Sequence, residues 1–294
     1  MFRFAPMTST PTPAITTIAL AGFICAGAAL QASAASQTAN ANAFPIFAPD
    51  GGTAWFPDRI AGDDFLPPES GPGPVTSVKD HPYVPNGLGQ STYRVADLSN
   101  PILKPWAAEQ MKKANDAVLA GNIPFTARER CWPGGVPDFD IYERDRPIYF
   151  LQTPEEVTIV EEHDQQVRHV HMNVPHSAHP ALSWYGESVG RYEGDTLIVD
   201  TIGLNDKTSV DNYRTPHTTE LHVVERFKLI DGGKTLQAAI TVDDPGAFNM
   251  PWSAVQRWRR QTDRPLAELV CAEDGGGYFN NGVRPIPQAG KPDF

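Results

Sequence analysis

From Pro147 onward the chain drops any helical repeat and alternates its side chains every second residue, which commits this half to β-sheet. The clearest unit is a hairpin. Residues 221–230 (LHVVERFKLI) and 235–242 (TLQAAITV) flank Asp231-Gly232-Gly233, whose glycines suit the left-handed backbone of a tight turn. On the second arm Leu236, Ala238, Ile240 and Val242 share a face; on the first, Leu221, Val223, Glu225, Phe227 and Leu229 do. Glu225 is thus a carboxylate in an apolar row, where it must find a partner or change its ionisation. Further β-rich runs lie at 148–151, 157–160, 167–172, 195–202, 255–260 and 266–271, for a total of eight to ten strands with short connections. The expected fold is mainly β, an antiparallel meander. Closing it into a barrel removes the exposed edges, so a closed barrel is favoured over a sandwich.

The rest of the chain is organised differently. Residues 1–36 read as a secretory signal: Arg3 is the only charge before Asp50, an apolar run of 17 residues spans 14–30, and Ala32-Ser33-Ala34 has a small-x-small cleavage pattern. Such a run is short for crossing about 30 Å of hydrocarbon. The mature chain is therefore expected in the periplasm or secreted, with no stable membrane insertion after cleavage. Residues 37–100 hold many of the 28 Pro and 24 Gly, keep no amphipathic period, and read as an extended arm with ordered patches near Trp55-Phe56 and Tyr83. Residues 101–130 form a helix and connector: in 105–120 Pro105 stands in a first turn, and Met111, Ala114 and Val118 make one stripe. The barrel is expected over 131–273 and a tail over 274–294.

A net charge of −11, becoming −12 once Arg3 is removed, argues against nucleic acid as a partner, because such binding needs a basic face. Export also changes the cysteine arithmetic. Of three cysteines, Cys25 leaves with the signal, and Cys131 and Cys271 remain to pair. Closing a span of that length stabilises by roughly 4–5 kcal/mol on loop-entropy reasoning.

The chemistry-bearing residues form two sets. Five of the eight histidines, His163, His169, His171, His176 and His179, lie within 17 residues. On a strand, His169 and His171 share one face, a spacing that suits a divalent metal such as zinc or copper, with His222 or Glu187 completing the site. His176 and His179 fall in a Pro-punctuated loop where spacing implies no geometry. The second set is Glu225, His222, Arg226, Asp200 and Arg168. Here a carboxylate of raised proton affinity would act as acid or base, and Arg168 or Arg226 would face developing negative charge. Alternation puts Glu225 and His222 on opposite faces. No His-Glu-x-x-His, dinucleotide or phosphate-loop pattern occurs, so no organic cofactor is expected.

The segment Gly190-Arg191-Tyr192-Glu193-Gly194-Asp195-Thr196-Leu197-Ile198-Val199-Asp200-Thr201 resembles the signature of a widespread group of exported bacterial proteins. These carry Gly-Arg-Trp-Glu-Gly-Asp-Thr-Leu-Val-Val-Asp-Thr. Cys131-Trp132-Pro133-Gly134, Gln152-Thr153-Pro154, His222 with Glu225-Arg226, Asp244-Pro245 and Pro251-Trp252 match further steps of the same pattern, over roughly half the chain. Within that pattern Glu193-Gly194-Asp195-Thr196 reads as a turn feeding a strand. His169-Val170-His171 departs from the group, where Arg and an aromatic or aliphatic residue are usual. The resemblance implies a lipocalin-like barrel by analogy of fold, and no common reaction.

Three readings of function follow. One is an exported barrel holding an apolar or aromatic small molecule in its interior. Another is a lyase, isomerase or hydrolase without cofactor, or a metal-binding protein built on the histidines. The third is an envelope interaction protein that binds through its arm.

Overall fold

The computed structural model describes residues 45–58, 66–68, 76–77, 93–94, 102–120, 131–138, 147–162, 166–211, 214–263 and 266–268. The expected signal, most of the arm, the tail, His163 and Cys271 lie outside the described residues. The elements run in the order β1 (Ala54–Pro57), β2 (Thr76–Ser77), β3 (Tyr93–Arg94), α1 (Pro105–Leu119), β4 (Ile148–Gln152), β5 (Glu156–Glu161), β6 (Gln166–Met172), β7 (Glu187–Glu193), β8 (Thr196–Ile202), β9 (His222–Ile230), β10 (Thr235–Asp243) and β11 (Trp252–Gln261). β2 and β3 pair with each other. The remaining nine strands close a barrel in the order β1-β11-β10-β9-β8-β7-β6-β5-β4. Among the described residues, a mainly β chain with the helix α1 and a closed barrel agrees with the sequence expectation.

Two features correct that expectation. First, the meander is not antiparallel throughout: β6 and β7 run parallel, with Val170 opposite Ser188 and Met172 opposite Gly190. The odd strand number requires this. Each antiparallel pairing reverses direction, and a closed ring must return to its starting direction, so nine strands cannot all alternate. Second, the barrel does not begin at residue 131. β1 lies in the stretch read as an arm, and it closes the barrel by pairing with β11 and, at Trp55 opposite Ile148, with β4. Residues 266–268 carry no strand.

The interior is built from the inward rows that alternation dictates. Leu236, Ala238, Ile240 and Val242 of β10 face Phe227, Glu225 and Val223 of β9 on one side and Trp258, Gln256, Ala254 and Trp252 of β11 on the other. Rings fill the space: Phe47, Phe150, Phe227 and Trp258 follow one another at centroid distances of 4.9, 5.5 and 6.3 Å. All four are essentially fully buried. On α1 Met111 is buried and Ala114 half-buried, matching the expected stripe in part. The parallel seam needs a glycine. A Cβ on Gly190 would lie 2.7 Å from Val170 Cγ1 and 2.8 Å from Met172 Sδ, too close for any side chain.

Candidate functional site

Sequence alternation sends Arg168 and Glu225 inward and His169, His171, Asp200, His222 and Arg226 outward, and the structure follows it. Arg168 and Glu225 meet inside the barrel, both without solvent exposure. Arg168 Nη1 donates to Glu225 Oε1 at 2.7 Å and Nη2 donates to Glu225 Oε2, a fork-to-fork pair. Nη2 also donates to Thr201 Oγ1 at 2.7 Å and Nε to Ser188 Oγ at 3.3 Å. These two residues converge as an enzyme reading would require, but on each other, enclosed by core side chains.

The outward residues form a second cluster where β7 and β9 begin and β8 and β10 end. His222 Nε2 donates to Asp200 Oδ1 at 2.8 Å. His176, from the crossover between β6 and β7, lies with Nε2 3.0 Å from the same oxygen and Nδ1 3.0 Å from Glu187 Oε1, bridging the two carboxylates. Glu187 Oε1 also accepts from Ser177 N–H at 2.7 Å, which ties the crossover to β7. Carboxylate and imidazole thus alternate along Glu187, His176, Asp200 and His222. A glycine at 186 makes the approach: its φ is +64°, and a Cβ there would sit 2.3 Å from the carbonyl oxygen of Ile202.

The electrostatics follow from these bonds. The bond from His222, reinforced by His176 and opposed by partial burial, holds the Asp200 carboxyl down at about 2. The same bond raises the His222 imidazole above its ordinary value, with Asp243, opposite it on β10, adding to the effect. The bond from Ser177, joined by His176, lowers Glu187. No partner stands at His222 Nδ1 among the described residues, and its side chain is 42% exposed. The arrangement is an imidazole oriented by a carboxylate through one nitrogen and open at the other, the geometry of a general base.

The remaining sequence candidates stay apart from this cluster. His169 and His171 are exposed on β6, and His169 Nδ1 lies 2.7 Å from Glu156 Oε1. No group of three His, Cys, Asp or Glu side chains converges to hold a metal among the described residues. Arg226 is exposed on β9. Cys131 is disulfide-bonded, and Cys271 lies outside the described residues. Sequence reasoning named Asp200, His222 and Glu187 but missed His176 as their link, because a crossover loop has no period to read. No helix among the described residues is long and apolar enough to cross a membrane. No protein-family model matches the chain, and no curated protein matches it.

Proposed function

We propose that the chain is an exported barrel protein that carries out proton-transfer chemistry on a small molecule, without an organic cofactor, with His222 as base and Asp200 as its orienting carboxylate. The observation that carries this reading is the open Nδ1 of an imidazole whose Nε2 is fixed on Asp200. The interior is the less favourable place for a ligand. An apolar molecule lodged there would have to displace Phe150, Phe227 or Trp258, each with 1% or less of its surface exposed. The outer cluster needs no such rearrangement.

The test uses 5-nitrobenzisoxazole, which opens on loss of one carbon-bound proton and so reports a base without knowledge of the natural substrate. The full chain accelerates its opening, and H222Q loses at least about tenfold, a modest share of what a positioned base contributes. Equal rates for the two proteins sink the assignment.

Export and membership of the signature group belong to the same reading, supported by the residue 1–36 pattern and by the match around 190–201. In the processed chain Cys271 is the partner left for Cys131. Native, non-reduced protein then takes up no thiol label at either position; two labels per chain would remove the bridge.

A further inference from the structure

The loop between β8 and β9 holds a second arrangement that shares no residue with the Asp200 cluster. His217 is 4% exposed. Its Nδ1 lies 3.0 Å from the carbonyl oxygen of Thr218, which can only accept, so the proton sits on Nδ1. Nε2 is left as an acceptor, and Thr208 Oγ1 donates to it at 2.8 Å. Thr218 is itself fixed: its N–H and its hydroxyl donate to the two oxygens of buried Asp244, at 2.5 and 2.7 Å. A hydroxyl, an imidazole and a group orienting the imidazole therefore stand in sequence, as in nucleophile–base sites on unrelated folds. Burial keeps the His217 imidazole neutral to lower pH than usual, the form such a base needs.

The surroundings suit an aromatic substrate. A Cβ on Gly135 would lie 3.0 Å from Thr208 Oγ1 and 3.1 Å from the carbonyl oxygen of Trp184, so a glycine here leaves the hydroxyl free of a side chain. The Trp184 ring packs on Trp132 at 5.3 Å, and Trp132 is 40% exposed. Lys207 Nζ lies 5.7 Å from the Trp184 ring centroid and adds positive charge to this wall.

We propose that Thr208 is a nucleophile activated by His217, and that it takes the acyl group of an aryl ester whose ring rests on Trp132 and Trp184. Thr208 Oγ bonds to the ester carbonyl carbon while its proton passes to His217 Nε2. The carbon–oxygen bond to the aryl group breaks, and the aryl oxygen leaves with that proton. Water then attacks the acyl–Thr208 ester, gives its proton to Nε2, and the acid departs as Thr208 recovers its own.

The experiment uses p-nitrophenyl acetate and the full chain. A burst of p-nitrophenol release is expected, with the acetyl group located on the Thr208 peptide by mass spectrometry. T208S keeps the adduct, T208V lacks it, and H217Q forms it at least about 100-fold more slowly. Because His217 is buried, T208V, which removes only a hydroxyl, decides the matter if H217Q does not fold. A burst unchanged in T208V, or acetylation confined to other residues, overturns the proposal. H222Q separates the two sites: it is expected to keep the Thr208 adduct while losing benzisoxazole opening.

Discussion

Replacing Arg168 by Met with Glu225 left in place is expected to destabilise the fold by about 3–5 kcal/mol, the cost of a buried charge that has lost its partner. Both side chains have no solvent exposure, and Glu225 faces inward among Val223, Phe227, Val199 and Ile240. The substitution also removes a donor from each of Thr201 and Ser188, whose hydroxyls then keep each other as partner, at 2.9 Å, among the described residues. The double variant R168M/E225L, which removes both charges and keeps the volume close, should recover most of the loss. A buried pair is worth much less against well-packed apolar side chains than against its own broken half. Urea unfolding of the three proteins checks this. A double variant as unstable as R168M would mean that the hydroxyl network, and not the charge, dominates. Glu225 in this account holds the barrel together, so E225Q weakens the fold while leaving His222 free to act at the surface.

The legibility of this fold in its sequence varies with what each strand faces. β8, β9 and β10 were readable because their inward rows are apolar against apolar, apart from Glu225 and Thr201, both of which bond Arg168. β7 was not: its inward row is Ser188, Gly190 and Tyr192. The first serves the Arg168 guanidinium, the second makes room for Val170 and Met172, and the third bonds Gln152 at 2.8 Å. Each residue answers a side chain of another strand, so no period survives along the strand itself. β1 was hidden for another reason. Four residues among prolines and glycines carry almost no pattern, and their place follows from Trp55 entering the core and donating from its indole to the carbonyl of Phe47 at 3.1 Å. The site divides in the same way. Asp200 and His222 are near neighbours because β8 and β9 pair Asp200 with Val224, two residues from His222. His176 and the Thr208–His217 pair come from connections, where sequence gives residue types but not directions.

The pH dependence of stability is expected to single out Asp200. In the folded chain its carboxyl titrates at about 2, against 3.8 ordinarily. Its contribution is therefore complete above 3.8 and drains away as pH falls toward 2. His222 moves the other way: its folded value is raised above 6.5, so its contribution is complete below 6.5 and is lost as pH rises through the folded value. Both shifts express one attraction, seen from its two ends, with Glu187, His176 and Asp243 as the other titratable groups around it. It is at full strength between about pH 4 and 6.5. D200N removes the charge but leaves an amide oxygen to receive the Nε2 proton. The variant should thus be less stable than the native chain by about 1–2 kcal/mol in that window, after allowance for solvent screening. The difference should shrink below pH 3 and above neutrality. His217 does not confuse the comparison, because its lowered value is common to both proteins. Unfolding across pH measures the window, and NMR of the imidazole should show His222 falling back toward its ordinary value in D200N. A stability difference flat from pH 4 to 8, or a His222 titration unmoved by the substitution, would show that the carboxylate does not govern this imidazole. The same loss of charge bears on catalysis. A base of lower proton affinity is weaker, so D200N should open 5-nitrobenzisoxazole more slowly than the native chain at high pH, where both imidazoles are neutral, while its acidic limb moves to lower pH.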